Sequence, residues 1–141
     1  MGLFGKLFGT SAREPAVAAE IGSIIDRFTT ATIMGVDRED LGRYPAKQYK
    51  VMAFHYGAIE YLCRQHHLDE AQILGMFVVF IDKYFNMPVA ETGSISERLQ
   101  GFHERPDERL YLEAGIDVFR RWHEHNERRA PLELGEMLKT A

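Results

Sequence analysis

The chain is expected to be all-α, a compact bundle of about five helices. Three observations predict this. Apolar residues recur at steps of three and four, no window alternates as a half-buried strand would, and proline and glycine fall where helices start and stop. A length of 141 residues fits one domain, and 45% hydrophobic with 27% charged residues is the balance of a chain that buries a core. Residues 14–141 read as that domain and residues 1–13 as a separate amphipathic segment.

The first helix is expected over 15–34, opening at Pro15 and stopping at Gly35, with Val17, Ile21, Ile24, Phe28 and Ala31 on one stripe. Asp37 to Gly42 reads as a single turn. Pro45 opens a second helix over 45–66; Tyr49, Met52, Tyr56, Ile59 and Cys63 form its seam, and Val51, Phe54, Ala58 and Leu62 widen it toward more than one neighbour. Asp69 and Gln72 form a capping box, and Leu68 and Ile73 a hydrophobic staple, at the start of a helix over 70–87. From Ile73 to Ile81 that helix is apolar all round, which predicts a central position or one shared with a second subunit. Ser94 and Glu97 suggest another capping box before a short helix over 95–103. A long helix over 107–128 gathers Tyr111, Leu112, Gly115, Ile116, Val118, Phe119 and Trp122, and a short one follows near 131–138. Every connection is short, as in a compact bundle.

Composition narrows the function classes. Cys63 is the only cysteine, so an intrachain disulfide and a CxxC metal knuckle are both excluded, and a reducing, cytoplasmic setting is expected. The longest apolar run, Ile73 to Ile81, is too short to cross a bilayer, and no secretory signal is expected. Arginine outnumbers lysine twelve to five, a bias of GC-rich bacterial genes. The net charge of −4 is the wrong sign for a nucleic-acid footprint. The arginines of 103–130 are matched by acids and read as a solvated face with pairs such as Asp117–Arg121.

No histidine has a glutamate three places before it, so the di-metal bundle pattern is missing, as are HExxH, GxSxG, GxGxxG and the Walker loop. His66 and His67, and likewise His123 and His125, lie near helix ends where a protonated ring suits the dipole; His123 and Glu127, four apart, have metal-sharing spacing. His55 lies mid-helix among Met52, Phe54, Tyr56 and Ile59, a setting that fits either a haem ligand or a core histidine bonded to a carbonyl or tyrosine. Cys63 on an apolar seam reads as a small buried hydrophobe. Glu60, Asp82 and Lys83 are expected at a rim or in ion pairs.

The N-terminal segment stands apart. On a helix Leu3, Phe4, Leu7 and Phe8 share one side with Lys6 opposite, a pattern for a groove on a partner protein or an anionic membrane surface. Gly2, Gly5 and Gly9 weaken its helicity, so ordering on contact is expected; folding back onto the bundle is the other outcome. The leading expectation is a non-enzymatic interaction protein, an adaptor, regulator or inhibitor, with no cofactor or metal. It would be cytoplasmic, with peripheral contact at the inner membrane as a further option, and would bind another protein or a second copy of itself. The alternative is a small-ligand or cofactor binder built around His55, Tyr56, Phe77 and Phe80.

Overall fold

A computed structural model describes residues 13–85 and 95–140, which form helices joined by short connections with no strand among them. In chain order the helices are α1 (Arg13–Ile33), α2 (Arg38–Arg43), α3 (Pro45–Gln65), α4 (Glu70–Phe85), α5 (Ile95–Glu104), α6 (Pro106–Glu124) and α7 (Glu133–Lys139), with a 3₁₀ turn at Ala130–Leu132 before α7.

Local chemistry sets most of the boundaries. Asp37 caps α2, its Oδ1 accepting from the Glu39 and Asp40 amides at 3.0 and 3.2 Å. Pro45 and Pro106 occupy first-turn positions where no amide is missed. The Asp69–Gln72 capping box forms in both directions, at 2.9 and 2.8 Å. The Ser94 box lies outside the described residues. At the end of α3, His67 takes a left-handed φ of 61°, and the Leu68 and His67 amides return to the Cys63 and Arg64 carbonyls. The last long helix stops at Glu124, earlier than the expected 128, because Asn126 adopts φ 56° and the Glu127 amide turns back to the Arg121 carbonyl.

The central helix is α3, with every residue from Val51 to Ile59 buried. This corrects the expectation that the helix over 70–87 is central. In α4, Ile73, Met76, Phe77, Phe80 and Ile81 are buried, but Leu74, Val78 and Val79 are only half-buried. An apolar sequence on every side does not require a neighbour on every side. The small residues Ala53, Gly57 and Ala58 let α3 accept several neighbours closely.

The closest neighbour of α3 is α6, and the two run in the same direction, from Lys50 beside the Tyr111 ring to Gln65 bonded to Glu124. Their backbones meet where Gly57 faces the Leu112 carbonyl and Gly115 faces the Phe54 carbonyl, with no space for a Cβ at either glycine. Two aromatic layers flank this crossing. Phe28 stacks on Phe54 at 6.1 Å and meets Phe119 edge-on at 5.1 Å, joining α1, α3 and α6. Tyr56 meets Phe77 edge-on at 5.1 Å and Phe77 meets Phe102 at 6.1 Å, joining α3, α4 and α5. At the C-terminus Gly135 sits against the Gly35 carbonyl, and Arg121 reaches Glu133 with two bonds of 2.7 and 2.8 Å.

The same substitution at two helical glycines should therefore have opposite signs. Gly115→Ala forces a methyl into the Phe54 carbonyl and should cost at least about 3 kcal/mol. Gly22→Ala on α1 meets nothing within 4 Å and should raise stability by roughly 0.5–1 kcal/mol. Urea denaturation of the two variants measures both; equal effects would refute the close crossing.

Candidate functional site

His55 is held on α3 with its ring 1% exposed, stacked on Phe80 at 5.1 Å and edge-on to Phe28 and Phe54. Its Nδ1–H donates to the Val51 carbonyl at 2.8 Å, one turn earlier. That fixes the tautomer and leaves Nε2 as an acceptor, 2.7 Å from the Thr32 hydroxyl on α1. The Thr32 proton goes to Nε2 while the ring is neutral, although the Thr29 carbonyl lies 2.9 Å from the same oxygen. Burial pushes the imidazole down to about 4, opposed only in part by the Val51 bond, so the ring is neutral at physiological pH. Both nitrogens are engaged, and a metal bound here would displace one of these bonds.

Of the other residues grouped with His55, Phe80 stacks on it, Phe77 stacks on Phe80 at 6.1 Å, and Tyr56 packs on Phe77. The Tyr56 hydroxyl donates to Glu60 at 2.9 Å, and burial first, then the Glu60 charge, raises its pKa. All four form one buried aromatic cluster. His55 and Phe80 also border a cleft of about 370 Å³ walled by Ile33, Leu41, Val51 and Phe85, with Arg38 and Gln48 supplying polar groups.

A larger groove of about 440 Å³ lies between α1 and α4. Ala18, Ala19, Gly22 and Ser23 give α1 a wall of small residues, and Ile59, Met76, Val79 and Phe80 make the apolar surface facing it. One end is closed by Asp26, which holds Lys83 and Tyr84 at 2.8 Å each. Sequence reading did not find this groove. Its signal was the run of small residues on α1 opposite an over-apolar α4, but nothing in the sequence says which helices face each other.

The remaining candidates do not converge. Among the described residues no three His, Cys, Asp or Glu side chains cluster to hold a metal ion. Glu127 lies beyond the end of α6, so the His123–Glu127 spacing is not that of one helix. Cys63 is buried, and burial pushes its thiol up to about 12, far from a thiolate. Glu60 is tied to Tyr56, and Asp82 is exposed. Asp117 and Arg121 pair at 3.0 Å as expected. Glu108, expected on the solvated face, is instead buried at the start of α6, with Arg98 and Arg105 each 3.8 Å away. Arg98 stacks on Tyr49 at 3.6 Å, so this carboxylate helps fasten α5 to α6 and α3. Leu3, Phe4, Lys6, Leu7 and Phe8 lie outside the described residues. No helix among the described residues is long and apolar enough to cross a membrane. No family model, characterised protein or solved structure matches the chain.

The depressed His55 pKa has a defined consequence for stability. The unfolded ring binds its proton near the ordinary imidazole value of 6.5 and the folded ring only near 4, so the unfolded state holds more protons between these values. Stability from His55 is complete above pH 6.5, falls as the pH drops toward 4, and then levels off, a total of about 3 kcal/mol. The difference between denaturation profiles of the native chain and His55→Gln, measured from pH 7.5 to 4, isolates this contribution from the carboxylates. Parallel profiles would refute it.

Proposed function

We propose that this chain is a non-enzymatic interaction protein that accepts an amphipathic helix of another protein in the groove between α1 and α4. The observation that carries this reading is the pairing of a small-residue wall with an apolar floor. A wall of Ala, Gly and Ser lets a visiting backbone come close, while the half-buried Val79 and the edges of the buried Met76 and Phe80 form an apolar floor for its side chains. Met76 and similar flexible side chains adapt to different anchors. The exposed Arg27 and the Asp26–Lys83 pair at the rim provide polar groups that set register. Two copies of this chain meeting through the same groove are the homotypic form of this reading.

A second reading follows from the cleft beside His55. Its volume, its apolar walls and the polar Arg38, Gln48 and His55 are the features of a small-ligand site. An absorption spectrum of the purified protein, with mass analysis under native conditions, tests for a bound cofactor; a bound chromophore would favour this reading over the first.

Gly22→Phe fills the α1/α4 groove without meeting existing atoms at the Cβ. A partner recovered from the native cell with the wild-type chain should be lost with this variant while thermal stability is retained. Light scattering at rising concentration separates self-association from a foreign partner. A partner retained in full by a folded Gly22→Phe chain would sink the groove as the binding site.

A further inference from the structure

We infer that the cleft beside His55 takes a small organic acid, a monocarboxylate on a compact apolar body, with Arg38 holding the carboxylate. This rests on the ligand-site reading of the cleft and is independent of the groove between α1 and α4. The walls are Ile33, Val36, Leu41, Val51, Phe80 and Phe85, which suit an apolar body. His55 adds only its ring surface, because Nδ1 is bonded to the Val51 carbonyl and Nε2 to the Thr32 hydroxyl. Tyr84 is committed as well, its hydroxyl donating to Asp26 at 2.8 Å. Three side chains keep donors for a ligand: Arg38, Lys83, and Gln48, whose other amide proton goes to the Leu41 carbonyl at 3.0 Å. Against these stands one side-chain acceptor, the Gln48 Oε1.

The charge of the lining points the same way. The chain carries 21 acidic against 17 Lys and Arg side chains, yet two cations and no carboxylate line this cleft. Asp37 and Asp40, close to Arg38 in sequence, turn elsewhere. Asp37 caps α2, Asp40 pairs with Lys47, and both border a different pocket beside Gly135. Lys83 is balanced by Asp26, which borders the α1/α4 groove instead. Arg38 is exposed, and among the described residues no carboxylate lies within ion-pair distance of it. Its guanidinium can meet a carboxylate with two parallel charge-assisted bonds, which a neutral or cationic group cannot accept. At about 370 Å³ the cleft lies at the lower end of the range for ligand pockets, so the apolar body is a single ring or a short branched chain.

The test titrates the full-length chain with 3-phenylpropanoate, its uncharged amide and 3-phenylpropylamine, following the Leu41 and Val51 methyl signals by NMR. The acid should bind about tenfold tighter than the amide or more, and the amine more weakly than either. Arg38→Gln should lower the acid to the affinity of the amide while leaving the amide unchanged, and Arg38→Lys should restore part of the difference. Gly42→Phe, at a lining position where a Cβ meets nothing within 4 Å, should weaken acid and amide alike. Gly22→Phe, in the other groove, should change neither. Equal affinity for acid and amide, both weakened by Gly42→Phe, would overturn the acid as ligand class and leave the ligand site standing. No methyl shift with any of the three probes would overturn the site reading together with the inference. Acid binding that Arg38→Gln leaves unchanged, or that only Gly22→Phe removes, would set the acid elsewhere on the chain and overturn the inference.

Discussion

The contact on which the fold depends is the crossing of α3 and α6, where two glycines bring two helix backbones into touch. Gly57 and Gly115 each face a carbonyl of the opposing helix, so the separation is set by main chain rather than by side chains. That closeness makes α3 central. It lets Phe54 emerge beside the crossing to meet Phe28, while Tyr56 faces the other way to meet Phe77. Neither aromatic layer could keep its spacing if the crossing opened by the thickness of a methyl group, because interiors are packed without slack. The same device recurs at Gly35 and Gly135, where the C-terminal helix closes on the end of α1.

Within this frame the buried His55 is satisfied by geometry that the crossing preserves. His55 lies next to Phe54 and reaches Thr32 on α1, so the polar link between α1 and α3 depends on the same helix placement as the Phe28–Phe54 stack. A neutral imidazole with both nitrogens bonded fits an aromatic surround, whereas a protonated one would lose hydration and gain little in return. Glu108 shows the other solution. It lies near the N-terminus of α6, flanked by Arg98 and Arg105 at 3.8 Å rather than held by a direct bond at Oε1.

What the sequence made legible was local. The Asp69–Gln72 box, the helix-opening Pro45 and Pro106, and the Asp117–Arg121 pair all involve residues within a turn of each other, and each appears in the structure. The core nature of His55 was one of two readings, and the Val51 carbonyl that satisfies it lies four residues away. What was illegible was relational. Glu108 and Glu113 look alike in sequence, yet only Glu108 is buried, since α5 packs over the start of α6. Gly57 and Gly115 are far apart in sequence and acquire meaning only by facing each other's helix. The end of α6 was misplaced because Asn126 adopts a left-handed conformation that its neighbours do not announce. The groove, the strongest candidate site, belongs to this class: two helices each look unremarkable, and the site is the space between them.

The composition of those two helices argues that the space is not an accident of packing. A bundle that needed only stability would place large residues on α1 opposite Met76 and Phe80, since filling such a space adds buried area. Instead α1 presents Ala18, Ala19, Gly22 and Ser23 there, with Ile25 as the one large apolar residue of that wall, and sets Ile21, Ile24 and Phe28 on the faces that meet the core. The glycine also lowers helix propensity at a position where no neighbour requires its small size. A helix that is large where it packs on the core and mostly small along the groove gives up stability along one stripe. That pattern is the one expected when a further helix completes the packing, with the α1 wall kept low so that its backbone can come close.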